Sequence, residues 1–249
     1  MYLSKTNRLL FLFFISLAIY SCTSIPPQVN YSSYKINTQP NVDNAYSKML
    51  SPYKDSLNKS MNEVIGFSVN GLSKKQPEGV LGNFMTDAIK VMAEKKFNKK
   101  VDAAFINYGG IRSYIPKGEI SIGKIFELMP FDNLIVLQEL KGNVLKEFLN
   151  HTCTKGGFPV STGLTYSIKE NKLADALVDG KAIDDNATYI IANSDYIANG
   201  GDNCEMLKKV AKQNINYLMR DALIEYTKLL TQEGKTIDAK LENRIVYAK

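Results

Sequence analysis

The chain has 249 residues, 45% of them apolar and 22% charged, with a formal charge of +6. That length suffices for one large domain or two small ones around a self-sufficient core. A basic excess this mild, with no Lys/Arg cluster interleaved with aromatics, argues against a nucleic acid polymer as partner and leaves room for a small anionic ligand.

Lys5 and Arg8 precede an apolar run, Leu9 to Tyr20, followed by Ser21-Cys22. A basic start, about a dozen apolar residues and a small residue before the break describe a secretory signal, too short to span a bilayer. Ile19-Tyr20-Ser21-Cys22 resembles a bacterial lipobox, which makes Cys22 the expected lipidation site and the first mature residue. An ordinary signal peptide with an unmodified thiol is the alternative. Removing residues 1–21 leaves 249 − 21 = 228 residues and, with Lys5 and Arg8 gone, a formal charge of +4. Residues 22–41 are polar, hold three prolines and read as a tether. The expected folded domain is 42–249.

Val42 to about Lys59 has helical character, and Asn62 to Gly71 alternates as a strand closed by a turn. Leu81, Phe84, Ala88, Val91 and Met92 recur at helical spacing, giving a helix over about Gly82 to Lys96. Ala103 to Asn107 is a short apolar strand of the kind covered on both faces. Tyr108 to Gly118 is turn-rich. A short helix carrying Ile122, Ile125, Phe126 and Met129 stops before Pro130. Leu134 to Leu140 is a strand, and Val144, Leu145, Phe148 and Leu149 make one face of a further helix. Leu164 to Ile168 and Leu173 to Val178 pair as a hairpin, with Tyr189 to Asn193 as the next strand. Cys204 to Lys212 and Ile215 to Leu230 read as helices, and Arg244 to Tyr247 as a closing strand. Interleaved strands and helices predict an α/β (α+β) domain with a mixed sheet flanked by helices.

Three loops follow apolar strands or a helix, where a scaffold fixes position and the loop carries chemistry. The first is Asn107-Tyr108-Gly109-Gly110-Ile111-Arg112. Its glycines permit close approach, and Arg112 offers a planar fork for carboxylate or phosphate, or a solvated cation on a tight turn. The second, Met129-Pro130-Phe131-Asp132-Asn133, places an aromatic between helix and strand. Phe131 is either a stacking surface or ordinary core, and Asn133 either a polar contact or a turn residue. The third, Ser194 to Asn203, exposes Tyr196, turns on Gly200-Gly201 and delivers Asp202. A carboxylate there suits the vicinal hydroxyls of a ribose, or caps a helix ahead of Glu205. An aromatic pair, an arginine, an aspartate and glycines are together what a nucleoside site requires.

The order LGNFMTDAI, INYGGIR, GEISIGKIFELMPFDN, LKGNVLKEFLN, STGLTY and DYIANGGD resembles the C-terminal domain of the 5′-nucleotidases, over about Glu63 to Tyr247. The resemblance implies a domain that holds the nucleoside while a separate metallophosphoesterase domain cleaves the phosphate. By motif, Arg112 matches a substrate-contacting arginine, within a loop that includes Asn107, Gly109 and Gly110. Phe131 and Tyr196 match the base-stacking aromatics, Asn133 lies at the base edge, Gly163 contacts the sugar through its backbone, and Asp202 is the ribose carboxylate. Lys74 and Lys75 stand where some relatives have further arginines, and Tyr196 stands where a Phe is frequent.

The chain holds one histidine, His151, so a site with two metals about 3.5–4 Å apart has no ligand set here. His151 reads as a surface or core residue rather than a ligand. The expectation is the substrate-binding half of an extracytoplasmic, membrane-anchored 5′-nucleotidase that binds nucleoside or nucleotide. It has no cofactor of its own, and the divalent metals belong to a metallophosphoesterase subunit or domain. The alternatives are a freestanding nucleoside-binding lipoprotein and a structural surface protein without ligand. Cys153 and Cys204 are either a disulfide or two small buried residues.

Overall fold

The computed structural model describes residues 31–33 and 44–248. The expected signal segment, Cys22 and the tether up to residue 41 lie outside them, residues 31–33 aside. Two compact units divide at Ser47/Lys48. Helix α1 (Asn44–Met61) buries none of its residues.

The body of the second unit is built on three sheets. Strand β1 (Val64–Ser68) pairs antiparallel with β3 (Gly118–Ser121). The central sheet has the order β2-β8-β4-β9, formed by Ala103–Ala104, Thr188–Ser194, Leu134–Lys141 and Lys212–Leu218. The outer sheet has the order β10-β5-β6-β7, formed by Ile245–Tyr247, Leu164–Lys169, Lys172–Val178 and Lys181–Ala182. Both four-stranded sheets are mixed: β2 runs parallel to β8 and β10 to β5, while the other neighbours are antiparallel. Among the helices, α2 (Val80–Phe97), α3 (Ile122–Leu128), α4 (Gly142–Cys153) and α7 (Met219–Gln232) are the longer ones, with short α5 (Asp195–Ala198) and α6 (Glu205–Lys208) between them. This is the α/β class with mixed sheets that the sequence predicts.

Alternation along the central strands divides the interior in two. Ala104, Ile106 and Ala192 join Leu81, Met85, Ile89 and Leu223 in one core, under α2 and α7. Ala103, Phe105 and Ile191 join Phe148, Phe158, Leu164 and Tyr166 in the other, between the central and outer sheets. With a core on each side, the 103–106 run has no polar face, which is why it reads as uninterrupted apolar sequence.

Residues 212–218 are a strand, not the start of a helix. Only Tyr217 of that edge strand is buried, so no apolar alternation announces it. Asn216 adopts a left-handed φ of 59°, and the helix begins at Met219. The predicted 204–212 helix shrinks to Glu205–Lys208, and β3 lies at the end of the stretch read as turn. Cys153 and Cys204 are buried free thiols in the same core. Burial pushes them up to about 11 and about 12 respectively.

Candidate functional site

One edge of the central sheet collects the three loops. β2 and β8 run parallel and end there, and β4, antiparallel to both, begins there, with Ile135 opposite Ser194. Asn107 therefore follows β2, Tyr196 follows β8, and Asn133 precedes β4. This is the end of a sheet at which loops leave parallel strands and ligands collect.

Asn107, Gly109, Gly110, Arg112, Phe131, Asn133, Tyr196 and Asp202 line a single open hollow of about 400 Å³. Gly163 is not on this wall. It immediately precedes β5 with φ +100°, and a Cβ there would meet the Asp102 carbonyl at 2.8 Å and Lys90 Nζ at 2.9 Å. A second hollow, lined by Tyr108, Lys155, Phe158 and Asn203, shares Gly109, Tyr196 and Asp202 with the first. A third, of about 290 Å³, lies around Arg244, whose charge is taken up by Asp87 and Glu242.

Asp202 is held from several directions. Asn107 Nδ2 donates to its Oδ2 at 2.8 Å and Tyr196 OH to its Oδ1 at 2.9 Å. Its backbone N–H donates to Tyr196 OH at 3.2 Å. His151 Nε2 lies 2.8 Å from its carbonyl oxygen, so that nitrogen carries the proton. Asp202 sits at φ 52°, ψ 28°, and Asn203 also has positive φ; Asp and Asn tolerate that region better than most side chains. The helix-cap alternative for Asp202 is not realised: Cys204 occupies the cap of α6, and the Asp202 carboxylate turns to Asn107 and Tyr196. Donation to Asp202 holds the Tyr196 hydroxyl above its ordinary pKa, so it stays protonated well past neutrality.

Two glycines make these bonds sterically possible. At Gly110 a Cβ would stand 2.7 Å from Asn107 Oδ1 and displace the amide that reaches Asp202. At Gly201 it would stand 2.5–2.6 Å from Cε1, Cδ1 and Cζ of Tyr196. Near-equal distances to three adjacent ring atoms place it over the ring face. Tyr196 therefore packs one face on the Gly201 backbone and gives its remaining surface to the hollow.

Phe131 is 40% exposed and Tyr196 45%, so neither is core. Arg112 Cζ stands 5.8 Å from the Phe131 ring centre, and Nη1 donates to the Gly109 carbonyl at 3.4 Å. Its guanidinium has no carboxylate partner among the described residues. Lys74 donates to the Ile111 carbonyl at 2.9 Å and covers the Tyr108 ring at 4.5 Å, so its charge braces the first loop. Asp195 Oδ1 accepts from the N–H groups of Leu134 and Tyr196, tying the second loop to the third.

The sequence flags neither Arg220, whose side chain reaches the Phe131 loop, nor His151 as a support for Asp202. Each acts across more than 50 positions, a separation that leaves no motif. Around the hollow the donor set does not fit a two-metal phosphoesterase centre. Its one lining carboxylate is engaged by Asn107 and Tyr196, and His151 donates to a carbonyl. Among the described residues no group of three or more His, Cys, Asp or Glu is placed to hold a metal ion.

Residues 59–209 match the family model described as 5′-nucleotidase, C-terminal domain. The chain belongs to that family. The trifunctional nucleotide phosphoesterase protein YfkN of Bacillus subtilis is 27% identical over 217 residues, 79% of this chain and 14% of its own length. The NAD 5′-nucleotidase of Haemophilus influenzae is 25% identical, over 65% of this chain and 31% of its own. A 5′-nucleotidase precursor from Thermus thermophilus superposes with a TM-score of 0.71 at 27% identity, covering 82% of this chain and 43% of that one. The chain thus spans less than half the length of these relatives.

Proposed function

We propose that the hollow binds the nucleoside part of a nucleotide. The observation that carries this reading is the convergence of eight residues from three separate loops on one wall. Phe131 and Tyr196 would hold the base between them, a contact worth about 1–3 kcal/mol per base in other systems. Asn133 would meet the base edge. The Asp202 carboxylate, fixed by Asn107 and Tyr196, would accept from the ribose hydroxyls, and the fork of Arg112, which meets no carboxylate among the described residues, suits a phosphate or another anionic group.

The chain would then act as the substrate-holding component of a 5′-nucleotidase in extracytoplasmic nucleotide catabolism. Water attack on the phosphate would be left to a metallophosphoesterase domain or partner that brings its own divalent metals. The folded domain would span 42–249, tethered through 22–41 to an acylated Cys22 once residues 1–21 are removed. A relative described as a cell wall protein, Lmo0130 of Listeria monocytogenes, supports an extracytoplasmic setting. A freestanding nucleoside-binding lipoprotein is the alternative arrangement.

Calorimetric titration of the purified chain with adenosine, AMP and inosine tests the reading. Saturable binding, weakened in both Phe131→Ala and Asp202→Ala, is expected. Flat titrations with the folded wild-type chain would remove the nucleoside assignment. Phosphate release that appears only when a metallophosphoesterase is added would favour the two-component arrangement over the freestanding one.

A further inference from the structure

The Phe131 carbonyl accepts a hydrogen bond from a side chain 89 positions away. Arg220 is the second residue of α7 and only 8% exposed, and its one ion pair among the described residues is with Asp132 of the Met129–Asn133 loop. Both terminal nitrogens of its guanidinium are spent on that loop, while the buried Nε meets no acceptor. Nη2 donates to Asp132 Oδ1 at 2.6 Å, and Nη1 to the carbonyls of Phe131 at 3.2 Å and Met129 at 3.5 Å. Its Cζ lies 4.2 Å from the ring centre of Phe126, the aromatic of the helix that feeds the loop. Beside it, the Met219 N–H donates to the Asn133 carbonyl at 2.9 Å. Two consecutive residues thus grip every member of the loop except Pro130, whose ring fixes its own φ.

The grip works through the loop's carbonyls and through Asp132, leaving the Phe131 and Asn133 side chains to line the hollow. Asp132 itself does not line it; its side chain is 80% exposed and serves as the outer end of the clasp. An ammonium concentrates its three donors on one atom, whereas the planar fork presents two separated nitrogens, one to the carboxylate and one to the carbonyls. The chain uses arginine at four of its 31 basic positions, and this is one of them.

We infer that Arg220 is a positioning residue for nucleoside binding: it touches no ligand and holds the Phe131–Asn133 loop in its binding geometry. The inference rests on the proposed nucleoside site and adds to it the element that orders one of its two aromatic walls. Without the clasp, the ligand must order the loop as it binds, a cost that corresponds to roughly two- to twelve-fold in Kd.

The sequence contains no tryptophan, so Phe131→Trp installs a single tryptophan at the position in question, excited selectively to the red of the 14 tyrosines. In the full chain, Arg220→Gln is expected to lower the steady-state anisotropy of that tryptophan without ligand present. In the natural Phe131 background, Arg220→Gln should weaken adenosine several-fold, and in the Phe131→Ala background it should cost almost nothing more. A purely structural role would instead give additive losses. Asp132→Asn, at an exposed position, should reproduce the anisotropy change in part and keeps the test open if Arg220→Gln folds poorly. Unchanged anisotropy in both variants, or additive losses in the cycle, would overturn the inference. Should adenosine fail to bind the wild-type chain, the nucleoside assignment falls, while the anisotropy still decides whether Arg220 orders the loop.

Discussion

Replacing Gly201 by alanine should damage binding and spare the fold. The added Cβ would sit 2.5 Å from Tyr196 Cε1 and 2.6 Å from Cδ1 and Cζ. Carbon atoms rest at about 3.5–4.0 Å, so the ring must retreat by about 1 Å. A rigid retreat of that size stretches the 2.9 Å bond from Tyr196 OH to Asp202 beyond hydrogen-bond reach and removes the ring from its place opposite Phe131. Gly201 does not have a left-handed φ, so alanine adds no backbone strain, and Tyr196 is 45% exposed and has solvent to move into. The melting temperature should therefore change by less than about 2 °C, as for other substitutions near the surface. Adenosine affinity should fall by about 1–3 kcal/mol, roughly 5- to 150-fold in Kd, the range for a lost base stack. Calorimetric titration beside thermal unfolding reads both quantities. In a Tyr196→Ala background the same substitution should change affinity very little, because the ring it displaces is gone. An unchanged Kd in Gly201→Ala would refute the contribution of Tyr196 to the site, and so would an undiminished loss in the Tyr196→Ala background.

Three further outcomes are expected. Thiol-reactive reagent at pH 8 should leave Cys153 and Cys204 unmodified in the folded chain and label both in denaturant, since burial raises both pKa values. Because the folded values exceed the ordinary thiol value, stability is full below about pH 9. It should drain away as pH climbs towards 11–12, read as a falling urea midpoint. Arg244→Met removes the partner of Asp87 and Glu242 from a side chain that is 4% exposed. It should cost about 3 kcal/mol at constant m-value in urea while leaving adenosine affinity unchanged, because that network borders a different hollow.

The legible parts of this protein are those whose cause is local. Paired glycines before Arg112, the Pro130-Phe131 step and the GGD turn each state a loop geometry within a few residues, and those loops do line one hollow. The α2 helix is legible for the same reason: buried Leu81, Phe84, Ala88 and Met92 repeat at the helical period, although its first turns are buried all round and Val91, read with them, is exposed. β9 is hidden because its neighbours in space, not its own pattern, make it a strand. It lies exposed beside β4, with Tyr217 alone buried. The supports of the site are hidden more completely. Asn107 reaches Asp202 across 95 positions, His151 reaches it across 51, and Arg220 reaches Phe131 across 89. A side chain that acts through another residue has no spacing rule to obey.

The use of arginine draws these levels together. Of 31 basic residues 31 − 4 = 27 are lysines, which suits solvated surface where a compact ammonium is sufficient. Arg244 is closed over Asp87 and Glu242, with both terminal nitrogens engaged. Arg220 is closed over Asp132 and two carbonyls. Arg112 alone of the three described arginines meets no carboxylate, with one 3.4 Å bond to its own loop and the Phe131 ring 5.8 Å away. Two forks are thus consumed in holding structure, and the third borders the hollow with donors to spare. A nucleotide phosphate entering there would find in Arg112 the only arginine on the wall, so Arg112→Lys should weaken AMP far more than adenosine.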